Sequence, residues 1–133
     1  MNYQMSKEAY PFTYIVTTGT IAANATGAAT LLFMADSYFE VQYFMASSDV
    51  AAERTDNNPN YFAASITDQG TGVTLSSSRV PQRLLGSNMF YSTPEIVPVR
   101  FYPNSSLLFD VLNLTAGNIV VTFALKGMKV RIA

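Results

Sequence analysis

The stretch IVVTFALKGMKVRI, Ile119 to Ile132, decides how the rest of the chain reads. Ile119, Val121, Phe123 and Leu125 recur at every second position, which places them on one face of an extended strand. Beyond Gly127 the apolar positions are Met128, Val130 and Ile132, so the alternation slips by one residue. Because such a slip exchanges the two faces of a strand, the pattern predicts a β-bulge at Lys126-Gly127.

The same period of two runs through most of the sequence. Phe12–Thr17 sets Phe12, Tyr14 and Val16 against Thr13, Ile15 and Thr17, and Gly19 to Gly27 extends it to a turn at Asn24–Gly27. Leu31–Met34 and Tyr38–Met45 follow, the latter with Phe39, Val41, Tyr43 and Met45 on one face and Glu40 and Gln42 on the other. Residues 46–59 read as a polar loop with a helical turn over Asp49–Arg54. Tyr61–Thr67 then turns Phe62, Ala64 and Ile66 inward, and Asp68–Gly72 forms a hairpin loop into Val73–Leu75. Residues 76–93 are irregular. Ile96–Tyr102 is an edge or bulged strand, since Pro98 has no N–H to give to a ladder, and Leu107–Leu112 precedes a turn at Thr115–Gly117. About eight short strands make an all-β protein, an antiparallel β-sandwich. The long 46–59 and 76–93 connections fit crossings between sheets, so the expected architecture is jelly-roll-like. Residues 1–10 read as an N-terminal arm and 11–133 as one domain.

Composition narrows the function. The chain is 49% hydrophobic but only 13% charged, with 8 basic and 9 acidic residues, a net charge of −1, and no Cys, His or Trp. Soluble domains carry about 25% charged residues, so this surface is unusually neutral and favours association. The absent residue types exclude disulfides, Cys-based zinc sites, thiol nucleophiles and a histidine base for serine. No G-x-S-x-G or S-x-x-K motif occurs. Glu40, Glu95 and Asp110 are the acids expected on strands, each as an outward side chain. Asp49, Glu53 and Asp56 share one loop but lack EF-hand spacing, so they read as solvated. The expectation is a non-enzyme with no catalytic residues, cofactor or metal.

Partners follow from the same reading. Arg79 and Arg83 flank Pro81, and Lys126, Lys129 and Arg131 gather beside Arg100 on outward faces. That patch is small for phosphate neutralisation, so nucleic acid is not an expected partner. Residues 9–35 are uncharged, yet Thr17, Thr18, Gly19, Thr20, Asn24, Thr26 and Gly27 break the run, and no membrane span is expected. The sequons at Asn24, Asn104 and Asn113 are explained by the abundance of Asn and Thr. Association would use exposed aromatics and methionines: Tyr3, Met5 and Tyr10 in the arm, the 46–59 loop, and Met89, Phe90 and Tyr91 in an irregular segment.

Three strings carry a likeness. They are Ala35-Asp36-Ser37-x-Phe39-Glu40-Val41, Phe101-x-Pro103-Asn104-Ser105-x-Leu107-x-Phe109-Asp110, and Val121-x-Phe123-x-Leu125-x-Gly127-x-Lys129. In texture, over residues 30–130, the chain resembles small bacteriophage virion proteins with jelly-roll-like folds. The resemblance implies a capsid decoration or cement subunit, or a minor head protein, that binds itself and the major capsid protein. Its place would be the virion, assembled in the host cytoplasm. The alternatives are a neck or tail component and a carbohydrate-binding β-sandwich, against which the lack of Trp counts.

Overall fold

Antiparallel pairing folds the chain back on itself as one long hairpin, seen in a computed structural model that describes residues 9–86, 91–92 and 97–132. Ala9–Thr17 (β1) pairs with Val121–Arg131 (β11), and Thr26–Leu32 (β2) with Ser106–Asn113 (β10). Ser37–Ser48 (β3) pairs with Arg100–Phe101 (β9), and Phe62–Asp68 (β4) with Val73–Thr74 (β5). Rolling this ladder brings β11 against β3 and β10 against β4. One sheet then runs β1-β11-β3-β9 and the other β2-β10-β4-β5, with Val80–Pro81 (β6) beside β5 on β4. This is the jelly roll expected from the sequence. Residues 46–59 do carry the chain between sheets, and Ala51–Thr55 is the predicted helical turn, of 3-10 type. The described part of 76–93 instead adds β6 to the sheet of β4 and a 3-10 turn at Gln82–Leu84, and 87–90 and 93 lie outside the described residues. Tyr91–Ser92 (β7) and Val97–Pro98 (β8) form a separate two-stranded ladder.

Phenylalanine holds the two layers together. Phe109 from one sheet stacks on Phe123 from the other at 4.3 Å between centroids, and Phe44 and Phe62 pack around Phe123. At the other end Phe33 stacks on Phe101 at 4.9 Å, and Tyr14 meets Phe33 and Phe39 edge-on. All six of Phe33, Phe39, Phe62, Phe101, Phe109 and Phe123 are almost wholly buried. Each such burial is favourable by roughly 1.5–3 kcal/mol. A rigid aromatic core of this kind fixes the separation of the sheets.

The bulge lies where the sequence placed it along β11, but the extra residue belongs to β3. Lys126 opposes Tyr43 and Gly127 opposes Val41, which leaves Gln42 as the added residue. β11 therefore never changes phase: Val121, Phe123, Leu125, Gly127 and Lys129 all face the core. The slip falls in β3, where Phe39 and Val41 are buried, then Phe44, while Tyr43 and Met45 stand 61% and 53% exposed. The expected inward face of Tyr43 and Met45 is thus corrected. Both strands conform to one apolar interior, and β3 absorbs the mismatch.

Two further expectations change. The chain leaves the first sheet after Thr18, which still bonds Val121, and keeps a bridge from Ile21 to Ile119 before Asn24, at φ 58, turns it into β2. The segment from Gly19 to Gly27 is a crossing, not an extension of β1. In addition β1 begins at Ala9, inside the stretch read as the arm.

Gly127 is confined by the bulge, because a Cβ there would overlap the Glu40 carbonyl oxygen. Gly127→Ala should cost about 3 kcal/mol through forced backbone movement. Gly117→Ala, with open space around it, should change stability by less than about 1 kcal/mol. Urea unfolding of the two variants checks the contrast, and equal losses would contradict this account of the bulge.

Candidate interaction surface

The displaced phase of β3 creates an unusual outer face on the β1-β11-β3-β9 sheet. Register places Ile15 beside Ala124 and Ala124 beside Met45, giving an apolar row across three strands. The row on one side is Thr17, Thr122 and Ser47, and the row on the other is Thr13, Lys126 and Tyr43. Lys126 is the single charge in these nine positions. Ile15 is 64% exposed, so the apolar row is uncovered. The next row holds Pro11, Met128 and Glu40, and Glu40 is closed off by Arg100 of β9, whose Nε donates to Glu40 Oε2 at 3.0 Å.

The opposite outer face is different. Leu108, Asp110 and Leu112 of β10 are half-buried there. Arg79 reaches over β4 and donates from Nη2 to Asp110 Oδ2 at 3.0 Å. Glu40 and Asp110 therefore stand on opposite sides of the sandwich, each paired with an arginine, and cannot flank one bond as a glycosidase pair must. Glu95 lies outside the described residues.

The acids of the 46–59 loop hold the fold together. Glu53 Oε1 accepts from the Ser48 N–H at 2.9 Å, the Ser48 hydroxyl at 2.6 Å and Gln82 Nε2 at 2.9 Å. Gln82 is itself buried and accepts the Tyr61 N–H at 2.8 Å, so this group ties the 46–59 crossing to the 3-10 turn after β6. Asp49 accepts the Val120 N–H, and Asp56 accepts the Asn58 N–H and the Tyr61 hydroxyl. That last bond raises the Tyr61 pKa above its ordinary 10.0. Residues from Ser47 to Arg54 line an open depression of about 490 Å³. Among the described residues no group of three metal-ligating side chains converges.

Lys129 is the residue that sequence reasoning misplaced. It was expected on an outward basic patch, yet only 3% of it is exposed. Its ammonium sits 4.5 Å from the Phe12 ring centre and 5.6 Å from that of Tyr10, beside Met34 Sδ, with Asp36 Oδ1 at 3.7 Å. Aromatic faces and one carboxylate thus replace the water that a buried cation requires. The patch shrinks: Arg100 is exposed but paired with Glu40, and Lys126 and Arg131 are exposed. The unbroken parity from Val121 through Leu125 to Lys129 was the available signal.

Of the residues expected to make contacts, Tyr10 lies in β1 opposite Lys129 and is half-buried over its ammonium. Tyr91 belongs to the β7–β8 ladder. Tyr3, Met5, Met89 and Phe90 lie outside the described residues. Ile15, Tyr43 and Met45 were not singled out, since the last two were assigned to the core. Among the sequons, Asn113 is wholly buried: its amide donates to the Ile21, Ala22 and Gly117 carbonyls and accepts from Thr115. It offers no accessible nitrogen. Asn24 and Asn104 are exposed turn residues at positive φ.

Replacing the buried cation tests its role. Lys129→Met keeps the stem volume and removes a desolvated charge, so stability should stay within about 1 kcal/mol of the parent or rise. Lys129→Ala empties the site and should cost about 2 kcal/mol or more. Asp36 supplies the pH dependence. The Ser37 hydroxyl first, and Lys129 second among the neighbouring groups, hold its carboxyl below the ordinary 3.8. Its contribution is therefore present above about pH 4 and is lost as pH falls through the lowered value. In thermal melts from pH 6 to pH 2, Asp36→Asn should lose less stability on acidification than the parent.

No family model matches the chain, and no curated protein is significantly similar to it in sequence.

Proposed function

We propose that this protein is a non-enzymatic structural subunit of a virion, a decoration or cement protein of the capsid or a minor head protein. The observation that carries the reading is the bare row of Ile15, Ala124 and Met45 with Tyr43 beside it. A sheet face with an exposed apolar row flanked by hydroxyls and bearing one charge in nine positions gains when another subunit covers it. Jelly rolls recur in viral capsid and lectin domains, which agrees with the reading but does not by itself carry it. The described acids agree with it too, since each is engaged in a turn, a loop tie or an ion pair, Asp49 and Glu53 at the open depression included.

The test is particle binding. Virions purified from the source should contain this chain in fixed stoichiometry. An Ile15→Glu, Met45→Glu double variant should fold normally, because both side chains point to solvent. It should bind stripped particles at least tenfold more weakly, as carboxylates would be buried without partners. Virions lacking the chain would refute the proposal, and unchanged binding of the variant would remove this face from it.

A further inference from the structure

The two sheets end in strands of very different character. β9, β5 and β6 are each two residues long. β1 is longer, with Thr18 N–H bonding Val121 O, so its even-numbered residues face β11 and its odd-numbered ones face outward. One of those outward positions is Pro11, which has no donor and so blunts the edge. β2 has no such protection.

In β2 the bonds from Phe33 N–H to Ser105 O and from Asn113 N–H to Ala25 O direct the odd-numbered residues toward β10. Thr26, Ala28, Thr30 and Leu32 then present their N–H and C=O groups to the open edge, and all four are exposed. The strand has no charge and no proline, and residues 9–35 around it are uncharged. Native proteins usually guard such an edge with lysine, proline or a bulge. This one leaves a seven-residue template open among the described strands.

We infer that the β2 edge pairs with the β2 edge of a second copy, antiparallel about a twofold axis at Ala29. The sequence is fitted to that register. Thr26 falls opposite Leu32, Gly27 opposite Leu31, and Ala28 opposite Thr30, so each larger residue meets a smaller one. Ala29 meets its own copy on the axis. Each of the four outward residues exchanges two hydrogen bonds with its partner, eight in all. No like charges approach, and the interface is isologous, as a twofold requires. The two copies join their β2-β10-β4-β5 sheets into one continuous sheet. This extends the self-association in the reading above, but it uses a different surface from the bare face.

The inference is tested on the intact chain by sedimentation across a range of concentration, with hydrogen exchange read at single residues. The parent should dimerise, and the amides of Thr26, Ala28, Thr30 and Leu32 should be slowed only in the dimer. Ala28→Pro removes an outward donor while leaving the β2–β10 bonds intact, and should weaken dimerisation at least tenfold. Thr30→Lys brings cations close to the axis and should do the same without altering the backbone. A strictly monomeric parent overturns the inference, as does a dimer that both variants leave unchanged or whose four amides exchange freely. Particle binding is scored separately, so either proposal can fail alone.

Discussion

Gln42 is the residue on which the arrangement turns. β11 keeps one phase over its whole length, so its buried side chains set the register for every strand beside it. β3 starts with Phe39 and Val41 inward and must later present Phe44 inward as well, a spacing that strict alternation forbids. One extra residue resolves the conflict, and Gly127 has no Cβ because the Glu40 carbonyl occupies that space. The outward positions of Tyr43 and Met45 follow from that single insertion. Core packing and the proposed contact face thus share one cause.

Charge is used sparingly, and much of it is tied up in bonds within the molecule, although among the described charged residues only Lys129 is buried. Glu53 joins the 46–59 crossing to the turn after β6 through Ser48 and Gln82, Asp49 anchors the loop to Val120, and Arg79 and Arg100 each take a carboxylate on opposite faces. Lys129 is held by aromatic rings. What remains toward solvent is largely hydroxyl, amide and aliphatic surface. A molecule built this way has little electrostatic repulsion to keep copies or partners apart, and its open edge and bare face are both consistent with assembly.

The aromatic interior explains why so short a chain can leave those surfaces uncovered. Phe109 and Phe123 clamp the centre, and Phe33, Phe39, Phe101 and Tyr14 close one end. Asn113 closes the other, tying Ile21, Ala22 and Gly117 to the end of β10. Stability resides in the space between the sheets, so the outer faces are free to carry residues chosen for contact.

Although it started the second strand at Leu31 rather than Thr26 and read Val80–Pro81 as irregular, the sequence alone determined the longer strands in outline, the inward set Phe62-Ala64-Ile66, the 46–59 crossing and the scarcity of charge. Local alternation reports those directly, because side chains in a strand point to opposite sides in turn. It even marked Lys126-Gly127 as a place of mismatch. Which strand would yield was not in the pattern, since a slip between two strands can be absorbed by an added residue in either. Only pairing across the sheet assigned it to Gln42 and brought Ile15, Ala124 and Met45 together from three strands far apart in the chain. Tertiary contact decided the surface, because a surface row exists only once register is fixed.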